Sequence, residues 1–220
     1  MKIEETIAVI AELPIATQAL LPSLAAYKRP YDKIDELVRG GYLYQLRRGL
    51  YVAGTKIKTP HPEPFLLANH LYGPSYVSAD SALSYWGLIP EKVTRVTSVT
   101  TRKSKLFKTH LGDFDYFHIP QQSYIIGLCQ VQLSNQQTVL MASPEKALCD
   151  LIVQTRGLNL RTVRQTMRFL EEDIRFDMNA LRTMNEILIA DFVLYSPKSN
   201  SLLVLSKTIQ SYAETMAGFL

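Results

Sequence analysis

Residues 27–54 have the pattern of a short helix followed by a β-hairpin. Pro30 suits the first turn of a helix, and Gly40-Gly41 can end that helix in a left-handed conformation. Two β-prone runs joined by a basic, glycine-containing turn come next: Tyr42–Leu46, Arg47-Arg48-Gly49 and Leu50–Val52. The sequence therefore predicts a helix over 30–39 and a hairpin whose turn carries two guanidinium groups.

Two further helices are predicted upstream, over 3–13 and over 17–27, the second interrupted near Pro22. Three helices followed by a hairpin is the order of elements in a winged helix-turn-helix domain. The segment 59–64 then holds three prolines in six residues, which rules out regular structure across it. We place a domain boundary there, which gives a winged helix-turn-helix domain over 1–58 and a second domain over 62–220.

The second domain is predicted to mix helices and strands and to end in a helical part, so that the expected fold class is α+β. Ser78 and Ser143 are expected N-caps, and Pro144 follows the second of them at a first helical position. Helices are predicted over 63–71, 79–87, 144–157, 160–174, 177–190 and 206–217. Strands are predicted over 93–101, 106–119 with a break at 111–113, 123–133, 137–142 and 202–205.

Composition limits the classes of protein that this chain can belong to. The 220 residues are 47% hydrophobic, enough for a core in one or two domains. No apolar run reaches the roughly 20 residues of a membrane helix, and the N-terminal residues lack a signal-peptide pattern, so we expect a cytoplasmic protein without a membrane partner. Cys129 and Cys149 have no CxxC spacing and are expected to be buried reduced thiols.

The net charge of +4 is modest, but the basic residues are clustered. Residues 27–58 hold eight basic and three acidic side chains, which favours a phosphate-rich partner. The exposed side of the predicted helix 30–39 mixes both signs, so the turn pair Arg47 and Arg48 is the stronger candidate for gripping DNA. The candidate DNA-binding residues are Lys28, Arg29, Lys33, Arg39, Arg47 and Arg48.

Two other basic groups are candidate surfaces for a partner or a nucleic acid. One is Arg102, Lys103 and Lys105 in the middle of the chain, for which solvated surface residues are an equally good interpretation. The other is Arg161, Arg164 and Arg168, which share one face of the predicted helix with Arg175 and could meet an acidic protein. The alternative for this face is a solvated surface on which Arg168 pairs with Glu171 or Glu172.

Five segments in order resemble the AbiEi-type antitoxins, the antitoxin half of abortive-infection toxin–antitoxin pairs. They are Tyr42–Val52, Pro74–Glu91, Val96–Arg102, Leu111–Ile119 and Ser143–Leu151. The resemblance covers about residues 27–155. It implies an N-terminal winged-helix domain that represses its own operon and a C-terminal domain that counters a nucleotidyltransferase-like toxin. The expected partners are therefore duplex DNA with an inverted repeat, from the protein's own operator, and a cognate toxin.

No catalytic motif is found in the sequence. The four histidines show no paired metal spacing, and no GxSxG or GxxxxGK[ST] motif occurs, so we expect no enzyme activity, metal or cofactor. Asp113 and Asp115 resemble the paired carboxylates of a nucleotidyltransferase but fall where a hairpin turn and strand are predicted. An RNA-binding or tRNA-associated module, or an enzyme on the central domain, are the alternatives to a DNA-binding regulator.

Overall fold

The first elements of the computed structural model form a three-stranded antiparallel sheet with helices packed on it. The structure describes residues 7–8, 11, 13–58, 62–91, 93–133 and 137–217. The elements up to residue 73 are β1 (Ile15–Ala16), α1 (Thr17–Leu20), a 3-10 helix (Leu21–Leu24), α2 (Pro30–Arg39), β2 (Leu43–Arg47), β3 (Leu50–Ala53) and α3 (Pro64–Leu71). The strands lie in the order β1-β3-β2. The predicted helix over 3–13 lies largely outside the described residues.

Helix α2 and the β2–β3 hairpin lie where the sequence predicts them. Pro30 begins α2, and Gly41 follows its end with a φ of 74°, a left-handed conformation that glycine adopts without steric cost. Gly49 has a φ of 80° in the turn between β2 and β3. The apolar face of α2 packs on the sheet, and the resulting core includes Ile15, Leu20, Leu24, Ile34, Leu37, Leu43 and Tyr51. Strand β1 was not predicted, because two residues are too few for an alternating pattern.

The chain divides into two compact units, Met1–Gly73 and Pro74–Leu220. The helix α3, which the sequence analysis assigned to the second domain, therefore belongs to the first unit. Its residues Leu66, Leu67 and Leu71 are buried, and the guanidinium of Arg47 donates to the Leu71 carbonyl oxygen over 2.7 Å. Of the proline-rich segment on which the predicted boundary rested, residues 59–61 lie outside the described residues.

The second unit is built on a six-stranded mixed sheet with the strand order β6-β7-β5-β4-β9-β8. The pairs β5–β7 and β4–β9 are parallel, and the other three pairs are antiparallel. Its strands and the helices among them are β4 (Ser75–Val77), α4 (Ala79–Tyr85), β5 (Arg95–Thr100), β6 (Lys105–Thr109), β7 (Gly112–His118), α5 (Gln121–Tyr124), β8 (Leu128–Gln132), β9 (Thr138–Ala142) and α6 (Pro144–Gln154).

A helical part follows the sheet and completes the α+β fold that the sequence predicts. Its elements are α7 (Val163–Arg168), a π-helix (Phe169–Asp173), a 3-10 helix (Met178–Thr183), α8 (Glu186–Val193) and α9 (Ser199–Ala217). No helix in the described part of the chain is both long and apolar enough to span a bilayer.

Four predicted elements of this unit differ from the structure. The predicted helix over 177–190 is a 3-10 helix over Met178–Thr183 followed by the separate α8, because Met184 and Asn185 between them are extended. The predicted helix over 160–174 is a six-residue α-helix continued by a π-helix. The predicted strand over 123–133 starts as helix α5, and Gly127, with a φ of 67°, separates it from β8. The predicted strand over 202–205 lies inside α9, because Leu202, Leu205 and Ile209 repeat at helical spacing and are all buried.

Candidate nucleic-acid interface

The two arginines of the hairpin turn make different contacts. The guanidinium of Arg47 donates to the carbonyl oxygens of Leu71 (2.7 Å) and His70 (3.5 Å) at the C-terminal end of α3, and to that of Arg48 (3.2 Å). A cation at this end of a helix satisfies carbonyls that lack intrahelical partners and opposes the helix dipole. The Arg48 side chain is exposed and has no partner among the described residues. Arg48 is therefore the turn guanidinium that is available for a ligand.

The basic residues of α2 and its approach are largely paired with acids of the same helix. Arg29 contacts Asp32 over 2.8 Å, and Lys33 contacts Glu36 over 2.7 Å. The Lys33 ammonium also lies 5.5 Å from the centre of the Tyr27 ring. These pairs confirm the mixed charge that the sequence predicts for this face.

Two further basic residues lie at the ends of α2. Arg39, in its last turn, donates from Nε to the Asp35 carbonyl oxygen over 3.3 Å. Lys28, just before the helix, is exposed. Its ammonium has no partner in the part of the chain that the structure describes, so Lys28 is a second basic side chain of this unit that can accept a ligand.

In the second unit, the basic residues Arg102, Lys103 and Lys105 lie at the loop between β5 and β6 and at the start of β6. All three are exposed. The carbonyl oxygen of Arg102 lies 3.0 Å from Nδ1 of His118, and the Lys105 ammonium lies 4.4 Å above the Phe107 ring. Because β6 is the last strand of the sheet, lysines on it also discourage edge-to-edge pairing with another sheet.

The predicted arginine face over 161–175 is not formed. Arg161 precedes α7, whose N-cap is Thr162, so only Arg164 and Arg168 lie on the α-helix. The π-helix then shifts the register of the following residues, and Arg175 lies beyond it with a φ of 47°. Arg168 pairs with Glu172 over 2.7 Å, which is the alternative that the sequence analysis gave for this residue.

A buried polar network links residues 74–91 to residues 143–151 in the second unit. Lys146 and Asp150, one turn apart on α6, form an ion pair over 3.1 Å with both side chains fully buried. The second carboxylate oxygen of Asp150 accepts hydrogen bonds from the Ser78 hydroxyl (2.7 Å) and the Tyr76 hydroxyl (3.0 Å). The Lys146 ammonium also donates to the Ser123 carbonyl oxygen over 3.0 Å.

The electrostatics of this network are set by burial. Burial lowers the pKa of Lys146 and raises the pKa of Asp150, and the attraction between the two opposes both shifts. The Lys146 ammonium is 3.6 Å from the centre of the Phe192 ring, a cation–π contact in a desolvated setting. Each polar group of the pair has partners, so the network positions α6, β4 and α5 and offers no site to a ligand.

This network is not predicted by the sequence, and Ser78 has a different role in it from the predicted one. Ser78 was expected to cap the helix that follows it, but its hydroxyl donates to Asp150 and makes no cap hydrogen bond. The one sequence signal for the network was a lysine and an aspartate four residues apart with only apolar residues between them, Ala147, Leu148 and Cys149. Ser143, by contrast, caps α6 as predicted, since its hydroxyl oxygen accepts from the Lys146 backbone N–H.

Asp113 and Asp115 lie in strand β7 and share one cation. Arg95 on β5 lies 4.0 Å from the carboxylate of Asp113 and 3.4 Å from that of Asp115. Within the ranges that the structure describes, no group of three or more histidine, cysteine or acidic side chains could hold a metal ion. His61 lies outside those ranges.

No protein-family model matches the chain, and no curated protein is similar to it in sequence. Among solved structures, the chain is similar to the crystal structure of the Rv2827c protein from Mycobacterium tuberculosis, with a TM-score of 0.63. The likeness covers 97% of this chain and 80% of that one at 14% sequence identity. At this identity the comparison supports the α+β fold alone.

Proposed function

We propose that the first unit is a winged helix-turn-helix domain that binds duplex DNA, and that the protein is a transcriptional autorepressor of the AbiEi antitoxin type. The observation that carries the proposal is the exposed guanidinium of Arg48. This guanidinium lies in the turn of the β2–β3 hairpin, which follows α2. The hairpin and α2 pack on one hydrophobic core. A hairpin with a cationic turn beside a short helix is the arrangement with which winged domains hold the DNA backbone.

The contacts within the first unit assign different roles to its basic residues. Arg48 and Lys28 carry exposed charges without partners among the described residues, so they are the best candidates for phosphate contacts. Arg47 holds the turn against α3 and so orients its neighbour. Arg29 and Lys33 are tied to Asp32 and Glu36, and base recognition through α2 would first have to break those pairs.

The binding test uses fluorescence anisotropy with a duplex taken from the gene's own upstream region and containing an inverted repeat. Each phosphate contact contributes about 0.9 to the slope of log affinity against log salt. We expect Arg48→Ala to reduce that slope by about 0.9 and to weaken binding to all duplexes alike. Arg182→Ala is the matched control, because Arg182 is an exposed arginine of the second unit without a partner in the described ranges.

Structured RNA at the same salt concentration is the competitor in this assay. If the RNA displaces the duplex, or if Arg182→Ala weakens binding as much as Arg48→Ala does, the assignment of the hairpin to duplex DNA is wrong. An inverted repeat also implies two copies of the chain on one operator, since a half-site spacing of about one helical turn mirrors a two-fold arrangement of protein.

The antitoxin part of the proposal rests on the resemblance of residues 27–155 to the AbiEi-type antitoxins. It is tested with the neighbouring gene: a downstream nucleotidyltransferase should arrest growth when expressed alone, and co-expression of this chain should restore growth. Arrest that the chain does not relieve would contradict the antitoxin role.

A further inference from the structure

Strand β6 leaves one edge of the sheet in the second unit unpaired, and the proposed DNA-binding function does not use this edge. β6 pairs with β7, and no strand pairs with its other edge in the described part of the chain. Proteins commonly protect such edges with very short strands, bulges or prolines. β6 has five residues, keeps an unbroken register with β7 and contains no proline. Its backbone can therefore accept a further strand.

The register of the β6–β7 pair shows which backbone groups face this edge. The two strands are antiparallel and meet at a two-residue turn, with Thr109 opposite Gly112. In such a hairpin the two residues that flank the turn exchange hydrogen bonds, and so does every second residue along each strand. The residues of β6 between those that bond to β7 are Leu106 and Lys108. Their backbone N–H and C=O groups therefore point away from β7, towards the unpaired edge.

The side chains around this edge are basic. Residues 101–112 contain no acidic side chain, and their exposed lysines and arginine are Arg102, Lys103, Lys105 and Lys108. The nearby acids of β7, Asp113 and Asp115, share Arg95 on β5. Lys108 is exposed and has no ion-pair partner among the described residues, so its charge is available to an acidic ligand.

The backbone of this edge suits a peptide better than a nucleic acid. The outward C=O groups need hydrogen-bond donors, whereas the phosphate oxygens of a nucleic acid only accept hydrogen bonds. An extended peptide supplies N–H and C=O groups in alternation, as a neighbouring strand in a sheet does. Leu106 is 41% exposed and adds an apolar contact that a phosphate group does not use.

The side chains of β6 indicate the sequence that fits beside them. A strand on this edge places one side chain opposite each residue of β6, and opposite charges in such pairs attract. Lys105 and Lys108 favour acids, and Leu106 and Phe107 between them favour apolar side chains. We propose that β6 binds an extended acidic segment of a partner protein, with the pattern acid–apolar–apolar–acid, as a seventh strand of the sheet. The lysines that discourage pairing with a like-charged edge favour this strand.

The test uses the full chain and a synthetic peptide, capped at both ends, with the core Glu-Val-Val-Glu. This core presents the same pattern in both strand directions. Fluorescence anisotropy of the labelled peptide should show saturable binding. In hydrogen exchange followed by NMR, the amide protons of Leu106 and Lys108 should exchange rapidly in the free chain and become protected in the complex. Those of Phe107 and Thr109 should be protected in both states.

Two variants of β6 test the two parts of the contact. Lys108→Glu places like charges opposite each other and should weaken binding about tenfold. Leu106→Pro removes an outward N–H and keeps the hydrogen bonds to β7, so binding should be lost while the fold is preserved. Lys207→Glu is the matched control, because Lys207 is an exposed lysine on α9 and the change in net charge is the same. Its affinity for the peptide should stay unchanged.

Two further peptides separate strand addition from simple charge attraction. A peptide with the core Lys-Val-Val-Lys should not bind, and the acidic peptide with both valines N-methylated should bind at least about tenfold more weakly, since it lacks N–H donors. Equal binding of the N-methylated peptide, equal weakening in Lys207→Glu, or no new protection at Leu106 and Lys108 would overturn the proposal. So would absence of saturable binding, or displacement of the peptide by structured RNA at equal concentration. The proposal does not depend on DNA binding, because the probes and variants concern β6 alone.

Discussion

Arg47 and Arg48 are neighbours in one turn, yet only Arg47 is bound to the rest of the first unit. Its guanidinium donates to carbonyl oxygens of α3, whereas Arg48 has no partner among the described residues. The sequence alone gives no reason to distinguish the two arginines. The contacts assign a structural role to Arg47, and the described residues show no such role for Arg48.

We therefore expect Arg47→Ala to lower the free energy of unfolding of the first unit by about 1–2 kcal/mol, since hydrogen bonds from a charged group are lost. Arg48→Ala should change it by less than about 0.5 kcal/mol, as for most surface substitutions. Urea unfolding of the two variants measures both effects. Equal losses of stability would contradict the division of roles.

At the residue scale as well, we expect the contributions of Lys146 and Asp150 to the free energy of unfolding to depend on each other. Lys146→Met leaves a buried carboxylate without its cation and should cost about 3–5 kcal/mol, and Asp150→Asn should also destabilise strongly. The double variant should lose less than the sum of the two single losses. A double-mutant cycle by urea unfolding measures this coupling. Additive losses would show that the ion pair is not the main contact of these side chains.

At the scale of elements, the sequence predicts best the helices whose ends are marked by proline, glycine or a capping serine. Helix α2 has a proline start and a glycine stop, and α6 has its serine cap followed by a proline. Both have the predicted starts, and α2 also ends where predicted. The region after residue 156 is predicted poorly, because the π-helix and the 3-10 helix interrupt the period of 3.6 residues on which such predictions depend.

The candidate site was predictable to a similar extent. Clusters of basic residues in the sequence indicated the hairpin turn and the group Arg102, Lys103 and Lys105 as candidate sites. The sequence could not show that Arg47 binds α3, because that contact joins residues 24 positions apart. Nor could it show that Asp150 accepts hydrogen bonds from Tyr76 and Ser78, which lie 74 and 72 positions before it.

Gly127, between α5 and β8, permits a testable prediction about how elements pack. A Cβ atom at this position would lie 2.8 Å from Cβ of Lys146 and 3.0 Å from Cδ2 of Leu188, and the residue has a φ of 67°. Gly127→Ala should therefore destabilise by about 2 kcal/mol or more.

Gly157→Ala is the matched control for this change. Gly157 has a φ of 75°, but no atom lies within 4 Å of an added Cβ, so the cost should be about 1 kcal/mol. Thermal unfolding of the two variants compares the cost of backbone strain alone, at position 157, with the cost of backbone strain and a steric clash together, at position 127. A smaller loss for Gly127→Ala than for Gly157→Ala would contradict the packing described for α5, α6 and α8.

At the scale of the whole molecule, the division into units falls after α3 and not at the proline-rich segment. A fragment of residues 1–73 should therefore unfold cooperatively and at a higher temperature than a fragment of residues 1–58, which lacks α3 and the carbonyls that Arg47 binds. Circular dichroism with temperature measures the difference. Equal melting temperatures would place the boundary before α3.

The contact between Arg47 and α3 limits which residues the β2–β3 turn can carry in proteins of this fold. Residue 48 can be exchanged freely with folding preserved, because the Arg48 side chain is exposed and has no partner among the described residues. Residue 47 is constrained, because any replacement must still reach the last carbonyls of a neighbouring helix. We expect saturation mutagenesis scored for protein abundance to tolerate nearly every residue at 48 and few at 47.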